Sequence, residues 1–216
     1  MITRTRRWAL ALPVALALTV RPLVAQADVS AKPPDTADVS FMQGMIEHHA
    51  QALAMVSLIP THTTRPDLQA IGLRIKISQQ DEIAFMQRWL RDRHQVVPIV
   101  DSTNVAHMPD EGMSAMGMGG TPMMLMPGMM TPTQMTQLAH ANGPEFDRLF
   151  LQGMIRHHQG ALTMVKNLLA TPGAAQAPEV FTFASDADAD QRAEIKRMQS
   201  VLDAMAVAHP TGDTHQ

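Results

Sequence analysis

Apolar positions recur with helical period from residue 41 onward. Phe41, Met45, His48, Ala52 and Met55 follow one another at 4-3-4-3 spacing, and Met42, Ile46, His49, Leu53 and Val56 form a second stripe beside them. Together these stripes predict one wide buried face on a helix over about 38–59, stopped by Pro60. The same reading places a second helix over about 66–94, with Pro98 beyond its end. A third begins near Asn142-Gly143-Pro144, where Asn suits the cap and Pro the first turn, and ends before Pro172. A fourth runs over about 178–208 and is closed by Pro210.

The first and third helices are copies of one another. The segment Gln43-Gly44-Met45-Ile46-Glu47-His48-His49-Ala50-Gln51-Ala52-Leu53-Ala54-Met55-Val56 aligns with Gln152-Gly153-Met154-Ile155-Arg156-His157-His158-Gln159-Gly160-Ala161-Leu162-Thr163-Met164-Val165 at 10 identities in 14 positions. A weaker echo links the second and fourth helices, where Gln79-x-x-Glu82-Ile83-x-x-Met86-Gln87-x-x-Leu90 matches Gln191-x-x-Glu194-Ile195-x-x-Met198-Gln199-x-x-Leu202. The repeat unit is therefore a pair of helices. Short, Pro-bounded connections fold each pair into a hairpin, one over 38–95 and one over 142–208. An all-α, antiparallel four-helix bundle built from two repeated hairpins is the expected fold.

Between the hairpins, residues 96–141 form a connection several times longer than is usual between helices. It holds ten methionines among glycines and prolines, and is expected to be a Met-rich linker without a long helix. Residues 28–37 and 209–216 are expected to be flexible ends. Residues 1–27 read as a cleaved signal peptide: Arg4, Arg6 and Arg7 precede an apolar run, and Ala25-Gln26-Ala27 offers a small-x-small cleavage site. The run is too short to span a bilayer, so a periplasmic or secreted protein without a membrane span is expected. Thr5-Arg6-Arg7-Trp8 leaves both the general and the twin-arginine export routes open.

Charge and composition narrow the chemistry. Removing the signal's four arginines takes the net charge from −3 to −7 and leaves 189 residues, which disfavours nucleic acid and anionic membranes as partners. There is no cysteine, so neither disulfides nor thiolate ligands are available. The 19 methionines outnumber the eight aromatic residues, whereas an ordinary core uses methionine sparingly because it specifies packing poorly. Soft-metal chemistry in this chain must rest on methionine and histidine.

Helical neighbours lie three and four apart, so Met45 flanks His48 and His49, and Met154 flanks His157 and His158. Met55 and Met164 share a stripe with His48 and His157. Imidazole and thioether donors without thiolate favour Cu(I), with Ag(I) as its mimic. A lone histidine on an apolar face is more often hydrogen-bonded in a core than bound to metal; here there are four, and each needs a partner if buried. Glu82 and Glu194, at matching places in the two repeats, are the candidates to hold those rings; solvated charges on a helix face are their alternative role. In the linker, His107, Met108, Met113, Met116, Met118, Met123, Met124, Met126, Met129 and Met130 make a candidate second, labile site, against the alternative of a low-complexity tether. Met86 and Met198 read as core fillers.

The pattern Met-Ile-x-His-His-x-x-Ala-Leu-x-Met, followed by the Gln-x-x-Glu-Ile-x-x-Met helix, resembles the bacterial domain-of-unknown-function 305 family. The stretch from Met126-Pro127-Gly128-Met129-Met130-Thr131-Pro132 to His157-His158 is especially close to it. The resemblance spans about 38–208 and implies a ferritin-like helical bundle without di-iron ligands. It also implies periplasmic copper binding, with sequestration or transfer of the ion. Met45, His48 and His49 match the family motif in one repeat, and Met154, His157 and His158 in the other. Many members carry a second methionine just before the motif's first, where this chain has Gly44 and Gly153, which removes one thioether per repeat.

Enzyme motifs are missing. No Glu-x-x-His, Gly-x-Ser-x-Gly, phosphate loop or His-Glu-x-x-His occurs. The expectation is a non-enzymatic copper binder that buffers Cu(I) or relays it to a copper-accepting protein. A metal-independent helical interaction module and a ferritin-like oxidase with a non-standard centre are the alternatives.

Overall fold

The structure, a computed structural model, describes residues 36–99 and 125–208. The elements among them are helices: α1 (Thr36–Ser57), α2 (Ile59–His62), α3 (Pro66–Asp92), α4 (Pro132–His140), α5 (Gly143–Ala170) and α6 (Pro178–Ala208). Residues 1–27, expected to be a signal peptide, and most of the connection over 96–141 lie outside the described residues.

Proline sets the helix starts. Pro66, Pro132 and Pro144 each occupy the first turn of their helix, where the missing N–H is not needed and the fixed φ suits the turn. Pro60 ends α1 less abruptly than the sequence pattern implies, because it fits the first turn of the short α2 that carries the chain toward α3.

The described end of the connection carries one short helix, α4. Thr131 accepts from the Gln134 N–H while the Gln134 side chain accepts from the Thr131 N–H, so a capping box starts the helix. Burial of Met135 and Leu138 against Phe146 and Phe150 then holds it. Those buried groups stabilise a nine-residue helix that would be marginal alone.

α1 packs on α3, α5 on α6, and α1 on α5. The registers run antiparallel. Along α1 and α3, Gln43 meets the Val96 carbonyl, His49 meets Glu82, and Val56 lies by Gly72. Along α1 and α5, Met164 lies by Gly44, His48 by His157, and Met55 by Gly153. Each residue of one repeat thus faces the partner that its copy faces in return, which is the signature of a pseudo-two-fold passing between His48 and His157.

Two apolar clusters fill the interior. One gathers Met55, Ile59, Leu68, Ile75, Phe146, Phe150, Met154 and Met198; the other gathers Phe41, Met42, Met45, Met86, Trp89, Val165 and Phe183. The four imidazoles occupy the turn of α1 and of α5 between these clusters. A further tie crosses the repeats: Ala175, in the left-handed region at φ 53°, donates its N–H to the buried Asp38 carboxylate at 2.6 Å.

Candidate metal centre

All four histidines of the repeated motif are fully buried. They fall on inward positions of α1 and α5 because adjacent residues i and i+1 straddle the two stripes of one wide apolar face. The rings of His48 and His157 stack with centroids 3.8 Å apart, and His49 and His158 lie 6.4 and 6.2 Å from their sequence neighbours.

Three of the rings are oriented through Nε2. His49 donates to Glu82 Oε2 at 2.6 Å, and His158 donates to Glu194 Oε2 at 2.5 Å. His48 donates to the Pro127 carbonyl at 3.0 Å. Ser78 holds the other oxygen of Glu82 at 2.9 Å. Glu82 and Glu194 are thus partners of the rings rather than solvated charges.

The opposite nitrogens have no partner. Nδ1 of His48, His49 and His158 and both nitrogens of His157 are buried without a hydrogen bond. Burial, reinforced by the charge of His49, pushes the His48 ring down to about 3, against the opposing pull of the Pro127 carbonyl. That ring is therefore neutral near pH 7; its proton sits on Nε2, and Nδ1 presents a bare lone pair. Burial, then the charges of His48, His158 and His49, hold His157 well below its ordinary value, with the His48 backbone, near the ring but outside hydrogen-bond geometry, pulling the other way. For Glu82, burial works upward, but the hydrogen bond and charge of His49 with help from Ser78 outweigh it and leave the carboxyl below its usual range. An unpaired buried polar atom costs about 1–3 kcal/mol, so four adjoining imidazoles with five of them are a poor design for packing alone.

The thioethers divide into three groups. Met45, Met55 and Met154 are fully buried, and Met164 is half-buried. Met126, Met129 and Met130 are described, with Met130 buried; His107, Met108, Met113, Met116, Met118, Met123 and Met124 lie outside the described residues. Met55 and Met164 do not only flank the histidine of their own helix. Each reaches across to the other repeat, with Met55 Cε 3.2 Å from the position a Cβ would take on Gly153 and Met164 Cε 3.5 Å from that on Gly44.

Residues 126–130 are locked onto the α1–α5 seam by contacts the sequence pattern does not advertise. Gln51, buried in α1, donates to the Met130 carbonyl at 2.9 Å and accepts from its N–H at 2.8 Å. Gly128 takes φ 78°, and a Cβ on Gly160 would fall 1.8 Å from the Pro127 carbonyl oxygen, so only glycine permits this approach. Among the described residues no three His, Asp or Glu side chains gather closely enough to hold a metal by themselves.

The domain of unknown function DUF305 matches residues 38–202, which contain every element described above except the ends of α1 and α6. The chain belongs to the DUF305 family. No curated protein matches it. Among solved structures, a DUF305 fragment from Deinococcus radiodurans is similar at 27% identity and TM-score 0.63, over 80% of this chain and 99% of that one. A DUF305 protein from Streptomyces coelicolor, described as secreted, is similar at 27% identity and TM-score 0.62, over 79% of this chain and 94% of that one. CopM in its Cu(II)-bound form is similar at 30% identity and TM-score 0.57, and in its Cu(I)-bound form at 27% and 0.55; both comparisons cover 77% of this chain and 96% of CopM. CopM has also been captured with silver.

Proposed function

We propose that this DUF305 protein is an exported copper-binding protein that sequesters Cu(I), or relays it to an accepting protein, through buried histidine and methionine side chains. The observation that carries the reading is the set of unpartnered imidazole nitrogens sealed between two apolar clusters. A soft monovalent ion coordinated there would remove the cost of burying them bare. Among the described residues imidazoles and carboxylates do not close a site alone, and the methionine sulfurs are read as completing it. That donor mixture is what Cu(I) prefers, and the similarity to CopM in copper- and silver-bound forms supports the same direction.

The four long helices, α1, α3, α5 and α6, are read as a ferritin-like antiparallel bundle in which the imidazole layer replaces a di-iron centre. Glu82 and Glu194 orient the His49 and His158 rings through Nε2, so that Nδ1 is the nitrogen a metal would meet. Export is inferred from the signal-like residues 1–27, and no described helix is long and apolar enough to cross a membrane. Catalysis has no assigned role in this account.

The test is competition of the tag-free mature protein against a Cu(I) chelator. The wild type should withdraw copper from the chelator, and the His48→Leu/His157→Leu double variant should lose most of that ability while staying folded. Equal affinity in both proteins would remove the reading.

A further inference from the structure

Gly44 and Gly153 look like gaps in the donor set, yet each opens onto sulfur from elsewhere in the chain. Met126 Sδ lies 3.3 Å from the place a Cβ would take on Gly44, where Met164 Cε also arrives at 3.5 Å. Met130 Sδ lies 3.0 Å from the equivalent place on Gly153, where Met55 Cε arrives at 3.2 Å. Any larger side chain at either position would displace these methionines. Gly44 is one helical turn before His48 and Gly153 one turn before His157, so each glycine, its two thioethers and its imidazole share one patch of the seam.

We infer that the chain holds two soft-ion half-sites related by the pseudo-two-fold, one formed by Met126, Met164 and His48 and the other by Met130, Met55 and His157. In each, the three donors come from three separate segments: α1, α5 and the 126–130 clasp. The clasp is held by the paired hydrogen bonds of Gln51 to Met130, by the Gly128–Gly160 approach and by the His48 bond to the Pro127 carbonyl. It is therefore placed in advance, and its two methionines belong with the buried imidazoles instead of with a labile loop. The half-sites are unequal. His48 already spends Nε2 on Pro127, whereas His157 has both nitrogens free, so the half-site at Gly153 fills first.

This inference rests on the copper reading above, and the experiment separates the two. Ag(I) is titrated into the folded mature protein carrying 13C-methyl methionine, with Met126, Met130, Met55 and Met164 resonances assigned by single Met→Leu variants. The four methyl signals should move in step with the first two equivalents, Met55 and Met130 ahead of Met126 and Met164. Met130→Leu, a volume-conserving change, should keep the wild-type melting profile but weaken the first Cu(I) equivalent by roughly tenfold or more, the loss seen when even an outer partner of a metal ligand is removed. Still methyl signals for Met126 and Met130, with copper binding that remains sensitive to His48→Leu/His157→Leu, would overturn the half-sites and leave the copper reading standing. Absence of silver and copper binding in the wild type would overturn both.

Discussion

Replacing His157 by leucine should stabilise the copper-free protein while abolishing its first and tighter Cu(I) equivalent. The ring is fully buried, and neither nitrogen has a hydrogen-bond partner. Removing two such atoms recovers about 1–3 kcal/mol each, on the scale found for unsatisfied buried groups. Against that stand the stacking on His48 at 3.8 Å, which contributes about 0.5–1.5 kcal/mol, and an imperfect shape match of similar size. The balance centres on a gain of about 2 kcal/mol, with roughly 2–4 °C in melting temperature for each kcal/mol in a chain of this length. Urea unfolding in the presence of a strong copper chelator reads the first effect, and Cu(I) competition reads the second. A residue kept for architecture behaves in the opposite way. If His157→Leu lowers the stability of the copper-free protein by 1 kcal/mol or more, the ring has a structural partner and the argument from unpaired nitrogens is wrong.

Three further outcomes follow from the same geometry. Glu194→Gln keeps an acceptor for His158 but removes the charge that fixes its tautomer, so Cu(I) affinity should fall roughly 10–100-fold in the chelator assay with little loss of helix by circular dichroism. Gly160→Ala would drive a Cβ into the Pro127 carbonyl and should destabilise by about 3 kcal/mol or more by urea unfolding; a neutral result would mean the clasp is not seated as described. Because His48 is held at about 3 in the folded chain and returns to the ordinary histidine value when unfolded, the unfolded state takes up the proton first as pH falls. Copper-free stability should therefore be complete above about pH 6.5 and decline toward pH 3, and His48→Leu should flatten that decline; an unchanged slope would show that other groups set it.

Much of the bundle was legible because it is written twice. The Gln-Gly-Met-Ile-x-His-His copies fix the period, and prolines 66, 144 and 178 mark helix starts that the structure keeps within a residue or two. Glu82 and Glu194 were readable as candidates to hold the rings, since each sits at the same place in its copy of the Gln-x-x-Glu-Ile-x-x-Met motif, but their offsets of 33 and 36 residues from His49 and His158 left the pairing itself to the structure. The α4 helix has its start written in Thr131-Pro132-Thr133-Gln134, but at nine residues it depends on burying Met135 and Leu138 against α5, which the local pattern does not encode.

Other features depend on register, which no single helix encodes. That Met55 reaches the neighbourhood of His157 and Met164 that of His48 follows only once α1 and α5 are laid antiparallel about their stacked histidines. Gly44 and Gly153 looked like lost ligands for the same reason: the sulfur that fills each gap comes from about 80 residues away in one case and about 20 in the other. Gln51 carried no metal-ligand signal at all, because its role is to hold the backbone of Met130.

Anomalous diffraction from crystals of the mature protein loaded with Ag(I) tests the central claim most directly. Silver should appear inside the bundle, within bonding distance of His48 or His157 and of at least one methionine sulfur, with Glu82 and Glu194 still bound to their histidines. Silver confined to the surface, or to the segment 101–124 with the buried rings untouched, would contradict it.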